Sequence, residues 1–489
     1  MKKSLKPIMF VGTGSDVGKS VINAAFCRIF LQDGYHPAPF KAQNMSLNSY
    51  ATPEGLEIGR AQAVQAEACG IPCQADMNPV LLKPTSQTSS QVVILGKPAG
   101  NKSAHDYFHE TDRSNLFELA MSSCRRLMTA YNPIVIEGAG SISEMNLWDK
   151  DITNMRVAED LNAPAYLIAD IDRGGVFASV YGSIELLPPN QRDLIKGIII
   201  NKFRGDLTLF EDGKKILEKI TGKPVVGIIP YFEDIFIEQE DSVALDHLSP
   251  KDPKGKIRIA VVRLRYLSNF TDFNMLEQHA NILLYYTDSV KAILESDIVL
   301  IPGSKNTIED LQFLRESGLA DALQKAHRKG KPMYGICGGY QIMGETIQDP
   351  HGMEGKPCEV QGLGILPVHT IITTEKKTEQ CTYSFLGGAP ACTGYEIHMG
   401  VTTSDQKSPV CKTVEGYEDG YFLNAKTFGT YMHGFFDNRE TIQFILDQVR
   451  EGVEVRVNYQ DFKETQYEKL AAFVRANVDM EYIYQTLQP

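Results

Sequence analysis

Ile8-Met9-Phe10-Val11 runs without a break into Gly12-Thr13-Gly14-Ser15-Asp16-Val17-Gly18-Lys19-Ser20, and a helical pattern then carries on through Phe30. An apolar run that stops in a glycine loop and restarts as a helix leaves few folds open. Further apolar runs follow at 134–136, 165–169, 197–200 and 225–229, with helical patterns between most of them. Continuous runs of this kind read as strands buried on both faces, and therefore as a parallel sheet covered by helices. The expectation is an α/β fold whose ligands gather at the carboxyl ends of the strands.

The glycine loop suits a polyphosphate. Backbone N–H groups of residues 12–20 and the following helix N-terminus can surround phosphate oxygens, Lys19 adds a point charge, and the Ser20 hydroxyl can ligate Mg²⁺. The usual spacing G-x-x-x-x-G-K-[ST] would put its first glycine at Thr13, but here it stands one place earlier, at Gly12. Polar segments follow other strands. Glu137 ends one of them and is a candidate Mg²⁺ ligand, because a hard cation prefers carboxylate oxygen; a capping role is the plainer reading. Glu57 is a second, weaker metal candidate, with a solvated helix face as its alternative. Lys41, Gln43 and Asn44 in Lys41-Ala42-Gln43-Asn44-Met45-Ser46 are substrate-binding candidates; Lys41 could neutralise a carboxylate or an acyl phosphate, or be a surface lysine with no role. Arg60, Lys83, Arg173, Lys202 and Arg204 could face an anionic substrate or be structural ion-pair partners.

A polar stretch with two prolines, 248–256, reads as a linker. The expected division is a phosphate-loop domain over 1–247, a second domain over 257–450 and a helical extension over 451–489. In the second domain Cys337 sits in Tyr334-Gly335-Ile336-Cys337-Gly338-Gly339-Tyr340, a strand-to-helix turn whose glycines would leave the thiol exposed as a nucleophile. A thiolate needs a base or helix N-terminus beside it. His433 is the chosen base and His398 its rival; the residues alone do not separate them well. The N–H of Gly338 and an N–H near Gly303 could receive an oxyanion.

Composition narrows the classes. With 49 Lys+Arg against 61 Asp+Glu the net charge is -12, which argues against a general nucleic-acid or membrane-surface role. Nine scattered cysteines without a C-x-x-C pair suggest neither a disulfide framework nor a zinc cluster, and fit the cytoplasm. No signal segment is read at the N-terminus, and no run approaches the ~20 apolar residues of a membrane helix.

The loop G-T-G-S-D-V-G-K-S resembles the phosphate loop of dethiobiotin synthetase. P-G-S-K-N-T, G-I-C-G-G-Y-Q-I-M-G and Y-M-H-G are similar to class I glutamine amidotransferase domains. Joined in one chain they resemble the amidases of cobalamin biosynthesis. F-K-A-Q-N-M-S-L-N-S, E-I-G-R-A-Q, N-P-V-L-L-K-P and D-I-D-R-G-G-V-F point within that group to the cobyric acid synthase family rather than to its a,c-diamide-forming relatives. The resemblance implies ATP- and Mg²⁺-dependent amidation of the b, d, e and g carboxylates of a corrin, with ammonia from glutamine released by Cys337 and His433. It implies small-molecule substrates and allows a homo-oligomer. Where many such domains read H-P-E, this chain reads His433-Gly434-Phe435, so the carboxylate that orients the imidazole is absent at that place, and slow or loosely coupled glutamine hydrolysis is the expectation. The alternatives are a ligase acting on the a and c carboxylates, and a phosphate-loop ATPase switch with an inactive amidotransferase-like module.

Overall fold

The structure is a computed structural model that describes residues 4–86, 88–109, 112–240, 255–455 and 458–489. All but the last two residues of the expected linker 248–256 lie outside the described residues.

The first sheet has six strands in the order Val225–Pro230, Ile195–Phe203, Ala165–Asp170, Ile8–Gly12, Ile134–Glu137 and Ala38–Phe40. Every neighbouring pair is parallel. Ile8–Gly12 is buried throughout, as a two-faced strand must be. The chain runs from it to Ala38–Phe40 on one side and later crosses from Ile134–Glu137 to Ala165–Asp170 on the other, and this reversal opens a crevice at its carboxyl end. The loop 13–18 occupies that position, and the helix Lys19–Gln32 starts directly after it. Beside this sheet, Gln43–Met45 pairs in parallel with Val80–Pro84, which continues into antiparallel strands Ser89–Ile94 and Lys97–Ser103.

The second large sheet runs Ile282–Thr287, Ile257–Val262, Ile298–Ile301, Met333–Ile336, Thr427–Thr430 and Tyr421–Asn424, parallel except for the last pair. A third sheet, built on the long hairpin of His369–Phe385 and Pro390–Thr403, stands against it. The α/β class with parallel sheets is thus what the apolar runs imply; the hairpin was not read from them.

The C-terminal helices Tyr459–Ala476 and Met480–Thr486 touch the second core only at the start, through Tyr459 and Phe462. Tyr467, Leu470, Ala471 and Val474 pack into the first, with Phe26, Phe30 and Ile199. Arg475 ties the same helix to Asp33 at 3.0 Å. No helix among the described residues is long and apolar enough to cross a membrane.

Candidate active site

Two sites lie at strand ends, one on each large sheet. At the first, Ser15, Asp16, Gly18, Lys19 and Ser20 line a cavity of about 1360 Å³, with Gly12, Thr13, Gly14 and Val17 completing the turn that carries them. The early glycine has a steric reason. A Cβ at Gly12 would stand 3.0 Å from Lys19 Nζ and 2.9 Å from a Val17 methyl. Gly18 adopts φ 97°, and a Cβ there would lie 2.2 Å from Asn201 Nδ2. Lys19 Nζ donates to the carbonyls of Gly14 and Gly140 at 2.8 and 3.0 Å, which aims it across the mouth of the loop.

Glu137, fully buried, faces this loop. Its Oε1 accepts from Ser20 Oγ at 2.8 Å and from Lys41 Nζ at 2.9 Å, and its Oε2 accepts from Gln65 Nε2 at 2.6 Å. Burial alone would raise its carboxyl pKa, but Lys41 and these hydrogen bonds outweigh that and hold it below the usual carboxylate value. Lys41, Gln43 and Asn44 all line the same cavity. Gln43 accepts from Tyr107 Oη and Arg113 Nη1, and Asn44 donates to Gln62 Oε1 and Glu240. Of the basic candidates, Arg173, Lys202 and Arg204 line the cavity, each beside an aspartate. Arg60 and Lys83 do not; they are bound to Glu238 and Glu57.

Glu57 corrects the metal reading. The structure does not bring it to Ser20 and Glu137. It is wholly buried between the two halves of the chain, where Lys83 Nζ reaches Oε1 at 2.7 Å and Lys376 reaches Oε2. Burial would raise its pKa, yet the two ammonium groups hold it well below the normal range. Both of its oxygens are bonded to ammonium groups, and it is not among the residues that line the cavity of the phosphate loop.

At the second site the carboxyl ends of three adjacent strands meet. Cys337 follows Met333–Ile336 with φ 50° and ψ -109°, a conformation sparsely populated by non-glycine residues and suited to a nucleophile elbow. The glycines around it are demanded by close approach: a Cβ at Gly339 would meet Ile301 O at 1.9 Å, and one at Gly338 would meet Ser304 N at 2.6 Å. Gly338 is therefore seated against the Gly303–Ser304 strand, bringing the two expected oxyanion positions together.

His433 follows Thr427–Thr430 and is 2% exposed. Its Nδ1 donates to Asp272 Oδ2 at 2.8 Å, and the next residue, Gly434, donates its N–H to Asp272 Oδ1 at 2.9 Å. A proline after the histidine would have no N–H to give. Because a carboxylate only accepts, the proton sits on Nδ1 and Nε2 is left for the sulfur. Burial alone would lower the imidazole pKa; Asp272 and then Cys337 outweigh it and push it up to about 10. His398 is half-buried and also stacks on a tyrosine, but among the described residues no carboxylate bonds it. Its Nδ1 donates to Gly400 O at 2.8 Å, its ring stacks on Tyr431, and burial takes its pKa down to about 3.

Residues 8–243 match the model of the CobQ/CobB/MinD/ParA nucleotide binding domain, and residues 258–441 that of the CobB/CobQ-like glutamine amidotransferase domain. Cobyric acid synthase of Parabacteroides distasonis is 56% identical over all of both chains. That of Bacteroides fragilis is 55% identical, covering 100% of this chain and 99% of its own. The chain belongs to the cobyric acid synthase family.

In this member of the cobyric acid synthase family, sequence reasoning missed Asp272. It stands in Ser268-Asn269-Phe270-Thr271-Asp272-Phe273, far from the histidine in sequence and without any local motif that marks it. The signal available was indirect: a buried imidazole base needs an acceptor for Nδ1–H, and the amidotransferase half of a cobyric acid synthase still has to supply one when no H-P-E glutamate does. Arg113, Lys150 and Arg156 also line the nucleotide-side cavity and were not singled out.

Proposed function

We propose that this chain converts the b, d, e and g carboxylates of adenosylcobyrinic acid a,c-diamide to carboxamides, using ATP to activate each carboxylate and glutamine as the nitrogen source. The observation that carries the reading is the Cys337–His433–Asp272 relay in one chain with a phosphate loop and a buried Glu137. A binding module without catalysis would need no charged relay around a strained thiol.

In the amidotransferase half the Cys337 thiolate attacks the glutamine carboxamide carbon. The C–S bond forms while the oxyanion is received at Gly338 and the Gly303–Ser304 strand. His433 hands its proton to the leaving nitrogen, ammonia departs, and water assisted by His433 releases glutamate from the thioester. In the synthetase half a substrate carboxylate attacks the γ-phosphorus, ADP leaves, and ammonia displaces phosphate from the acyl carbon. Lys19 would hold the transferring phosphate and Lys41 would face the carboxylate.

Ser20 Oγ and Glu137 Oε1 are hard oxygens 2.8 Å apart on the cavity wall, so they fit Mg²⁺. A bound Mg²⁺ would offset phosphate charge. The residues this reading assigns are Gly12 to Ser20 for the nucleotide, Ser20 and Glu137 for the cation, and Lys41, Gln43 and Asn44 for the acceptor.

Product mass tests the reading. With ATP and glutamine, the a,c-diamide should gain four amides, and cobyrinic acid should not be amidated at a and c. The reverse preference would favour the a,c-diamide-forming ligase, and no amidation of either would revive the ATPase switch.

A further inference from the structure

The segment from Lys41 to Ser49 touches both sites. Its first residue is bonded to Glu137, the carboxylate that also holds Ser20 of the phosphate loop. Its middle, Gln43–Met45, is pinned as a strand against Val80–Pro84, and Ser46 N–H donates to Leu82 O at 3.0 Å. Its far end leaves the synthetase half and enters the amidotransferase half. Asn48 Oδ1 accepts from the N–H of Phe270 at 3.1 Å, and Ser49 N–H donates to Asn269 Oδ1 at 3.1 Å. Asn48 Nδ2 meanwhile donates to Glu240 O at 2.6 Å, while the Glu240 carboxylate accepts from Asn44 and lies 3.9 Å from Lys41.

Asn269 and Phe270 are the residues that set the turn bearing Asp272. Phe270–Phe273 is a four-residue 3-10 turn, and Asp272 N–H donates to Asn269 O at 3.0 Å. Asn269 itself adopts φ 51°, in the left-handed region. Its side chain also reaches Tyr395 Oη at 3.3 Å, and that hydroxyl donates to Ser49 O at 3.4 Å. Tyr395 stacks on the His433 ring at 5.3 Å and exchanges both backbone hydrogen bonds with it. Two residues of the synthetase half therefore grip the aspartate turn and the tyrosine on the two flanks of His433.

We infer that Asn269 is a positioning residue for the Asp272–His433 pair, and that Lys41–Ser49, through Ser49 and Asn48, couples its setting to what occupies the phosphate-loop site. Polyphosphate or an acceptor carboxylate beside Lys41 competes for the ammonium that now bonds Glu137, and a strand pinned at its middle passes a shift at one end to the other. Such coupling is reciprocal: a ligand that favours one setting of the strand is itself favoured by it. The consequence is that glutamine hydrolysis rises when ATP and the carboxylate acceptor are in place, which limits loss of ammonia. This inference rests on the proposed glutamine-dependent amidation.

The test uses the full chain with Asn269→Gly and Asn269→Asp. Both residue types accept a left-handed φ, so neither change strains the backbone. Glycine removes both side-chain bonds, whereas aspartate keeps an acceptor for Ser49 N–H. Glutamine hydrolysis is measured with and without ATP plus the a,c-diamide, alongside amidation supported by ammonium. N269G should lose about 10-fold or more of the acceptor-stimulated kcat, with KM for glutamine little changed and ammonium-supported amidation intact. N269D should recover most of the loss. Should N269G fail to fold, Tyr395→Phe, which removes only the hydroxyl, should show a smaller uncoupling of the same kind. Wild-type stimulation in both N269G and Y395F, equal loss of all activities, or a wild-type enzyme that amidates without any stimulation would each overturn the coupling. Absence of amidation by wild type would instead defeat the functional reading beneath it.

Discussion

Asp272 stands 161 positions from His433 in sequence, yet it supplies the acceptor that His433-Gly434-Phe435 lacks. The expectation of slow hydrolysis from an incomplete triad loses its premise, because the carboxylate enters from a different element. Asp272→Asn should lower kcat for glutamine hydrolysis by about 10²- to 10⁴-fold, since the amide can hold the wrong tautomer, while ammonium-supported amidation persists. Initial rates with each nitrogen source check this. The pH dependence follows from the sign of the His433 shift. Its pKa rises from 6.5 to about 10 in the folded chain. The stabilisation it contributes is therefore complete below about 6.5 and is lost as pH climbs through about 10. In wild type the alkaline limb of hydrolysis should lie near pH 10, and D272N should move it toward neutrality.

Among the elements, those buried on both faces were legible. Ile8–Gly12, Ala165–Asp170 and Val225–Pro230 are runs of apolar residues that only a covered parallel strand explains. The hairpin strand His369–Phe385 was not, because it is half exposed along most of its length and carries threonines, lysines and glutamates where a buried strand would be apolar. The elbow at Cys337 and the phosphate loop were readable from glycines, of which Gly12, Gly18, Gly338 and Gly339 have neighbours too close for any Cβ, but the thiol expected to be exposed is 7% exposed. Glu57 was misjudged for a converse reason: nothing in Glu57-Ile58-Gly59-Arg60 reveals that Lys376, more than 300 residues on, will cover it. The helix Tyr459–Ala476 gives a stability prediction. Leu470 is fully buried in the first core, so Leu470→Ala should cost about 2–5 kcal/mol. Denaturant unfolding followed with synthetase activity measures that loss, and the synthetase half should fail before glutamine hydrolysis does.

At the scale of the whole molecule, two parallel sheets each present a site at their strand ends, and the halves are locked by buried contacts that neither half's pattern shows by itself. Lys376 and Lys83 close on Glu57 from opposite halves, Asn48 and Ser49 cap the turn of Asp272, and the last helices return to the first sheet. This arrangement separates the formation of ammonia from the activation of its acceptor while keeping the two in register. The division of labour is tested most directly by amidation of the a,c-diamide with either glutamine or ammonium in Cys337→Ala and Lys19→Ala. C337A should be inactive with glutamine and active with ammonium, and K19A inactive with both. A C337A protein that is folded yet inactive with ammonium, or a K19A protein that still amidates with ATP, would contradict it.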